Sequence, residues 1–309
     1  MEQYIKDLSH VIQNGSMTNT YKMVWIRAII ETCVEDPSQE LIHFDQLSEK
    51  IFGYYWDQAI FFNLKQGASI QQNPVIYQLV LKQINKYRET YGYQPKFYYK
   101  VAGKVEVPLR EIGNELRKYV SDLFPKVGAK KYNIYDLDKP NRTLAPYRPD
   151  LLNQYSDMLF PMISFRLAQK LEEFNDAPRI AKKVKGAEKR EIRRQSLGKF
   201  KEYLDLENPD RICFFTGRKL DASSTSIDHV IPWSYLYSDD LWNLVYVDRG
   251  YNSSKSNKIP NQKTIDKLKK RNQRLYQLLQ IRGEKHKETN ELKIAIENDL
   301  VTKFWVGCR

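Results

Sequence analysis

Four polar side chains in one short stretch, Asp228, His229, Asn243 and Asn252, hold the strongest chemical potential in this chain. There are four histidines, His10, His43, His229 and His286, and only His229 stands in such company. An imidazole titrates near neutrality and can take a proton from water. A carboxylate and an amide oxygen are hard donors that suit Mg²⁺ or Mn²⁺, ions held by few protein groups with water completing the shell. Each residue also has a plain structural reading. An Asp-His pair on a strand is often just a satisfied polar pair, Asn243 before an apolar run can be a turn residue, and Asn252 can cap a helix.

To act together these groups need elements that bring them to one place. Residues 226–232 alternate as a strand carrying Asp228 and His229, 238–240 read as a turn, and 242–247 read as a second strand that begins beside Asn243. Residues 251–257 open a helix, with Asn252 near its start. The order is strand, strand, helix, with one polar group from each.

The rest of the chain is mostly helical in pattern. Apolar residues at helical spacing mark 21–34, 44–62 and 74–88, and Pro108 introduces a further helix over 109–123. Residues 97–107 alternate enough for a short strand or hairpin. Residues 128–149 read as a connector with a hairpin around Asn141 and Arg142, and 150–175 as a long amphipathic helix containing Pro161. After a break at Asp176, Ala177 and Pro178, a single basic helix is expected from Pro178 to about Leu206. The expected fold class is α+β, mostly α. The expected division is a helical domain over 1–126 that binds DNA or a partner, a connector with amphipathic and basic helices over 127–206, a strand-strand-helix module over 207–262, and basic helices over 263–309.

Charge is distributed unevenly. The net charge is +12. Two basic arms, 179–201 and 255–293, each carry +8, while the intervening 202–254 carries −5. An acidic centre between basic arms suits a metal site that must hold a polyanion. The plainer reading is two solvated helical faces.

Residues 211–260 resemble the ββα-metal motif of the HNH nucleases, as found in restriction enzymes, homing endonucleases and CRISPR effector nucleases. The resemblance rests on Asp228-His229, Asn243 and Asn252, with Val230-Ile231-Pro232 after the histidine, Asp239-Asp240-Leu241-Trp242-Asn243-Leu244 around the central asparagine, and Asn252-Ser253-Ser254-Lys255-Ser256-Asn257-Lys258 on the helix. It implies a metal-dependent endonuclease that hydrolyses phosphodiester bonds in DNA, in bacterial restriction or antiphage defence. His229 would then be the general base, and Asp228 and Asn252 would hold Mg²⁺ or Mn²⁺. Asn243 would complete the catalytic set by tying the loop between the strands or orienting His229. Lys255 and Lys258, together with Lys189, Arg190, Arg193 and Arg194 of the first arm, would contact nucleic acid.

One departure from the family pattern matters. Many members carry two CxxC pairs that bind zinc, whereas here Cys213 is followed by Thr216 in the second place, and Asp248 and Tyr251 stand where the other pair would be. One thiol of four cannot make a tetrahedral zinc site, so no structural zinc is expected. Asn rather than His at the third motif position favours Mg²⁺ over a softer metal.

Other classes are disfavoured. No run reaches the roughly 18 to 20 apolar residues of a membrane span. The first residues lack the apolar run of a signal peptide, and three scattered cysteines form no disulfide framework. A cytoplasmic protein is expected. Two competing functions are a nucleic-acid-binding module that has lost catalysis and a scaffold subunit of a larger nucleoprotein complex, with a protein partner held through the N-terminal region. The intact Asp228-His229 pair speaks for an active enzyme.

Overall fold

Helices dominate the architecture and the sheets are small, so the fold is α+β, mostly α. The computed structural model describes residues 2–308 apart from 70, 176, 193, 222, 252–257 and 284–285. The chain divides into two units, one of Met1–Asn175 with Ile180–Ile192 and the other of Asp176–Arg179 with Arg193–Arg309.

The first unit is built on two helices with apolar residues all round, α2 (Tyr21–Glu35) and α3 (Phe44–Phe62). Met23, Trp25, Ile26 and Ile30 of α2 and Ile51, Phe52, Tyr55 and Trp56 of α3 are almost wholly buried. A helix with so little polar surface must lie in a core rather than on one face of it. Around this pair pack α4 (Val75–Tyr91), α5 (Leu109–Lys118), α6 (Val120–Leu123), α7 (Pro149–Gln154), α8 (Ser156–Phe174) and α9 (Ile180–Lys189), and α1 (Gln3–Asn14) packs on α8. Proline stands immediately before α5 and at the first position of α7, where the missing N–H costs nothing.

Residues 127–175 and 180–192, expected as a connector with its helices, belong to this first unit. Besides the short ribbon of β2 (Lys126–Val127) and β3 (Lys130–Lys131), β4 (Tyr135–Asp138) and β5 (Thr143–Pro146) form the hairpin expected around Asn141 and Arg142. The strand β5 also pairs with β1 (Ile42–His43), giving an antiparallel sheet in the order β1-β5-β4. That pairing joins residues about a hundred positions apart, which local pattern does not reveal. Residues 97–107 are not a hairpin. They form two short 3₁₀ turns, Tyr98–Lys100 and Ala102–Lys104, because Trp56 Nε1 donates to the Lys96 carbonyl at 3.0 Å and Asp57 accepts the Tyr98 N–H at 2.7 Å, pinning the segment to α3.

The single basic helix expected from Pro178 to Leu206 is interrupted. The helix α9 ends at Lys189, and Arg190 takes a left-handed backbone conformation with φ 54°. The Arg190 N–H returns to the Ala187 carbonyl at 3.2 Å and the Glu191 N–H to Gly186 at 3.0 Å. This pattern is a Schellman ending, with arginine at the position glycine usually takes. Helical turns resume only at Leu197–Phe200 and in α10 (Lys201–Glu207). Lys183, Val184 and Ala187 of α9 are buried, so the charge of this arm does not all face solvent.

The second unit centres on an antiparallel pair, β6 (Thr225–His229) and β7 (Leu244–Asp248), with His229 opposite Leu244 and Asp228 opposite Val245. Leu244, Val245, Tyr246 and Val247 are buried in succession, the signature of a strand covered on both faces. The helix Gln262–Ile281 supplies Ile265, Leu268, Leu275 and Leu279 to this core, and the helices Lys287–Glu297 and Leu300–Cys308 close it with Leu292, Val301 and Trp305. Among the described residues, no helix is long and apolar enough to cross a membrane.

Candidate active site

His229 is the last residue of β6 and is 4% exposed. Its Nε2 lies 3.0 Å from Oδ1 of Asp239. A carboxylate can only accept, so Nε2 carries the hydrogen and the imidazole's basic lone pair in its neutral form belongs to Nδ1. Asp228 precedes it at half burial.

The loop between the two strands is what returns Asp239 to the histidine, and its path is fixed by hydrogen bonds. Its first part is a single helical turn, α11 (Trp233–Leu236), after which Tyr237 takes a left-handed conformation with φ 54°. The Ser238 hydroxyl donates to Asp240, and Arg179 donates to the Leu236 carbonyl at 3.2 Å while its other amino group stands 3.9 Å from Asp240. The loop ends in the 3₁₀ turn Leu241–Asn243.

Asn243 is fully buried and its side chain behaves like a piece of backbone. Its Oδ1 accepts the Ile231 N–H at 2.8 Å, its Nδ2 donates to the Ile231 carbonyl at 2.9 Å, and its own carbonyl accepts from Val230 at 2.9 Å. These three bonds extend the β6–β7 ladder past His229 and hold the mouth of the loop. From the other side, Arg271 of the helix Gln262–Ile281 donates to the carbonyls of Leu241, Trp242 and Leu244, the last at 2.6 Å, and Asn272 Nδ2 donates to Trp242 at 2.9 Å. Burial lowers the Arg271 guanidinium to about 10, the charge of Glu207 opposing that shift.

At the far end of β7, Cys213 is buried beside Asp248. Burial pushes its thiol up, but the Thr216 hydroxyl and the backbone N–H groups of Thr216, Asp248 and Phe215 outweigh it and hold the thiol below its ordinary range. The Asp248 N–H reaches Sγ at 3.4 Å, and Asp248 Oδ1 accepts from the Tyr251 N–H at 3.0 Å. Phe215 stacks on Tyr251 with ring centroids 5.0 Å apart. Two turns that could carry thiol pairs are instead joined by hydrogen bonds and rings.

Residues 213–261 match the family model of the HNH endonucleases. No curated protein and no solved structure matches the chain. Residues 213–261 of the second unit are therefore similar to an HNH endonuclease module.

The HNH module brings Asp228, His229 and Asn243 onto one hairpin. Asn252 and Lys255 lie outside the described residues, as does Arg193 of the first arm. Lys258 is exposed. Arg194 lies over the Trp233 ring at 5.0 Å within the second unit, whereas Lys189 and Arg190 stand at the end of α9 in the first. Part of the second basic arm is occupied by its own fold. Arg271 is buried, Lys269 pairs with Asp299, Arg274 with Glu207, and Lys267 bonds the Phe214 carbonyl. Its charge is thus a poor measure of what it offers a ligand.

Two residues escape sequence reasoning. Asp239 reads only as part of a turn, although a carboxylate inside the motif's Asp-Asp-Leu-Trp-Asn string is a visible signal. Arg271 carries no signal, since a lysine-rich helix does not mark which of its cations is buried.

Proposed function

We propose that this chain is a metal-dependent endonuclease that hydrolyses phosphodiester bonds in DNA, with His229 as general base. The observation that carries this reading is the hydrogen bond from His229 to Asp239 within a segment matching the HNH endonucleases. Asp239 holds the Nε2–H, so the imidazole is oriented and Nδ1 can take the proton of an attacking water. Asn243 keeps the loop closed and thereby keeps Asp239 in place.

The donors available suit a hard cation. Asp228 offers carboxylate oxygens at half burial next to the base, and Asn252 would add an amide oxygen; neither is a soft ligand. Mg²⁺, or Mn²⁺ in its place, would neutralise charge on the phosphate and on the leaving oxygen. Lys258 and Arg194 would contact the substrate's phosphates. The scattered thiols fit a cytoplasmic enzyme, and restriction or antiphage defence is the setting we propose for it.

The test is cleavage of plasmid DNA by the purified chain with Mg²⁺, with Mn²⁺ and with EDTA, alongside His229→Ala. Metal-dependent nicking or linearisation, lost in the variant while DNA binding persists, is the expected result. Cleavage by His229→Ala within about tenfold of wild type would remove His229 as the base. No cleavage by the wild type under any metal would instead favour a binding module or scaffold subunit.

A further inference from the structure

We propose that the first unit carries a binding surface for unpaired nucleic acid, built from the rings of Tyr91, Tyr93 and Tyr99 and the cations of Lys100, Lys104 and Arg190. This surface lies outside the HNH module. It rests on the nuclease reading only in choosing nucleic acid among polyanions.

The three tyrosines are 50%, 70% and 50% exposed, close together in sequence at the end of α4 and in the turns that follow. Large rings normally gain most by burial, so a cluster left in water marks a surface with a partner. Two of the three rings, Tyr91 and Tyr99, have a firm base. Tyr91 packs on Tyr87 at 5.1 Å, and Tyr87 on the buried Trp56 at 5.5 Å. Tyr99 stacks on Phe97 at 6.1 Å, and Phe97 on Phe61 at 4.6 Å. The backbone beneath is pinned to α3 through Trp56 and Asp57. Rings mounted this way lose little freedom when a ligand lands on them.

Cations are interleaved with the rings. Lys104 Nζ lies 5.1 Å from the centre of Tyr91, Lys100 Nζ lies 5.6 Å from that of Tyr99, and the Arg190 guanidinium lies 4.8 Å from it. Arg190 reaches Tyr99 from the left-handed turn that ends α9, a conformation that crowds the Cβ of any residue but glycine. Residues 82–104 hold six Lys and Arg against Glu89 alone. Lys82, Lys86, Lys96, Lys100 and Lys104 are all exposed, and among the described residues none is paired with a carboxylate. Ring faces for bases, alternating with cations for phosphates, is the arrangement that binds single strands without reading sequence. A duplex keeps its base faces stacked inside and can use only the cations. An acidic peptide could likewise use the cations but gains little from the rings.

The test is titration of a labelled oligothymidylate with the full chain in EDTA, so that nothing is cleaved, with a duplex of equal length and a polyglutamate peptide as the other probes. Tyr93→Ala with Tyr99→Ala should weaken single-strand binding about tenfold or more, and duplex binding by no more than about twofold. Tyr93→Phe with Tyr99→Phe should bind as wild type, since stacking needs the ring and not the hydroxyl. Lys100→Ala with Lys104→Ala should flatten the salt dependence on the single strand by about 0.7 for each phosphate that these lysines neutralise. Any of three results overturns the proposal: the alanine pair binding the single strand as wild type does, the phenylalanine pair binding as poorly as the alanine pair, or polyglutamate binding as tightly as the oligonucleotide. The substituted side chains are exposed, so thermal melts should match wild type. A chain that binds single strands in EDTA but never cleaves would sink the nuclease reading and leave this one standing; a chain that cleaves with unaltered binding in the tyrosine variants would do the reverse.

Discussion

Asp239 is the residue on which the chemistry turns once His229 is accepted as the base. A carboxylate 3.0 Å from Nε2 imposes one tautomer and one ring orientation. Asp239→Asn keeps the size but can present an NH₂ group to Nε2, which would move the hydrogen to Nδ1 and leave the base without its lone pair. The expected result is a fall in kcat of about a hundredfold or more with KM little changed. The ¹⁵N shifts of His229 should show the change of tautomer directly, in a chain with only four histidines. A variant with normal kcat and an unchanged Nε2–H signal would reduce Asp239 to a loop residue. At this scale the sequence is legible in part. Asp228, His229 and Asn243 stand out by type and spacing, whereas the bond to Asp239 depends on how the loop folds back.

Among the elements, the helix Gln262–Ile281 braces the hairpin from below. Arg271 satisfies three carbonyls of the segment that carries Asn243, all out of reach of water. Arg271→Met fills the space but takes the donor from the Leu244 carbonyl, while Leu241 keeps the Leu244 N–H and Trp242 keeps Asn272 Nδ2, a cost of about 1–3 kcal/mol. Urea unfolding should therefore shift to lower midpoint. Cleavage should fall as well, because the 241–244 segment sets the loop that holds Asp239. Stability within about 0.5 kcal/mol of wild type would mean that water replaces the guanidinium. A second test of the same brace is Asn243→Ala, which removes two hydrogen bonds to Ile231 and should cost about 1–3 kcal/mol. Periodicity locates both strands of this hairpin to within a few residues. It fails at 97–107, where alternation suggests strands but two side chains of α3 hold the backbone in 3₁₀ turns.

For the whole molecule, net charge is the property that matters most for a polyanionic substrate. The first basic arm does not act as one helix, since Lys189 and Arg190 belong to the first unit and Arg194 to the second. Replacing Lys189, Arg190, Arg193 and Arg194 together with Ala should weaken duplex binding regardless of sequence. The salt dependence should flatten by up to about 0.9 for each of the four cations that meets a phosphate. The rate at saturating DNA should change far less than the affinity. Equal slopes for wild type and variant would mean that this arm touches no phosphate and serves the fold alone.

The sequence by itself determined the fold class, the hairpin that carries Asp228 and His229, and the likeness of that segment to the HNH endonucleases. These rest on local rules: side-chain period, turn chemistry, and motif residues close in the chain. Tertiary structure alone decided which charges are spent on folding and which face outward. Lys183 and Arg271 are buried while Lys100 and Lys104 are exposed, though all four are cations in basic stretches. The same holds for the pairing of β1 with β5 and for the return of Asp239 to His229. Each depends on contacts between residues distant in sequence or joined by an irregular loop, where no period exists to be read, and where the free energy is settled by packing rather than by local propensity.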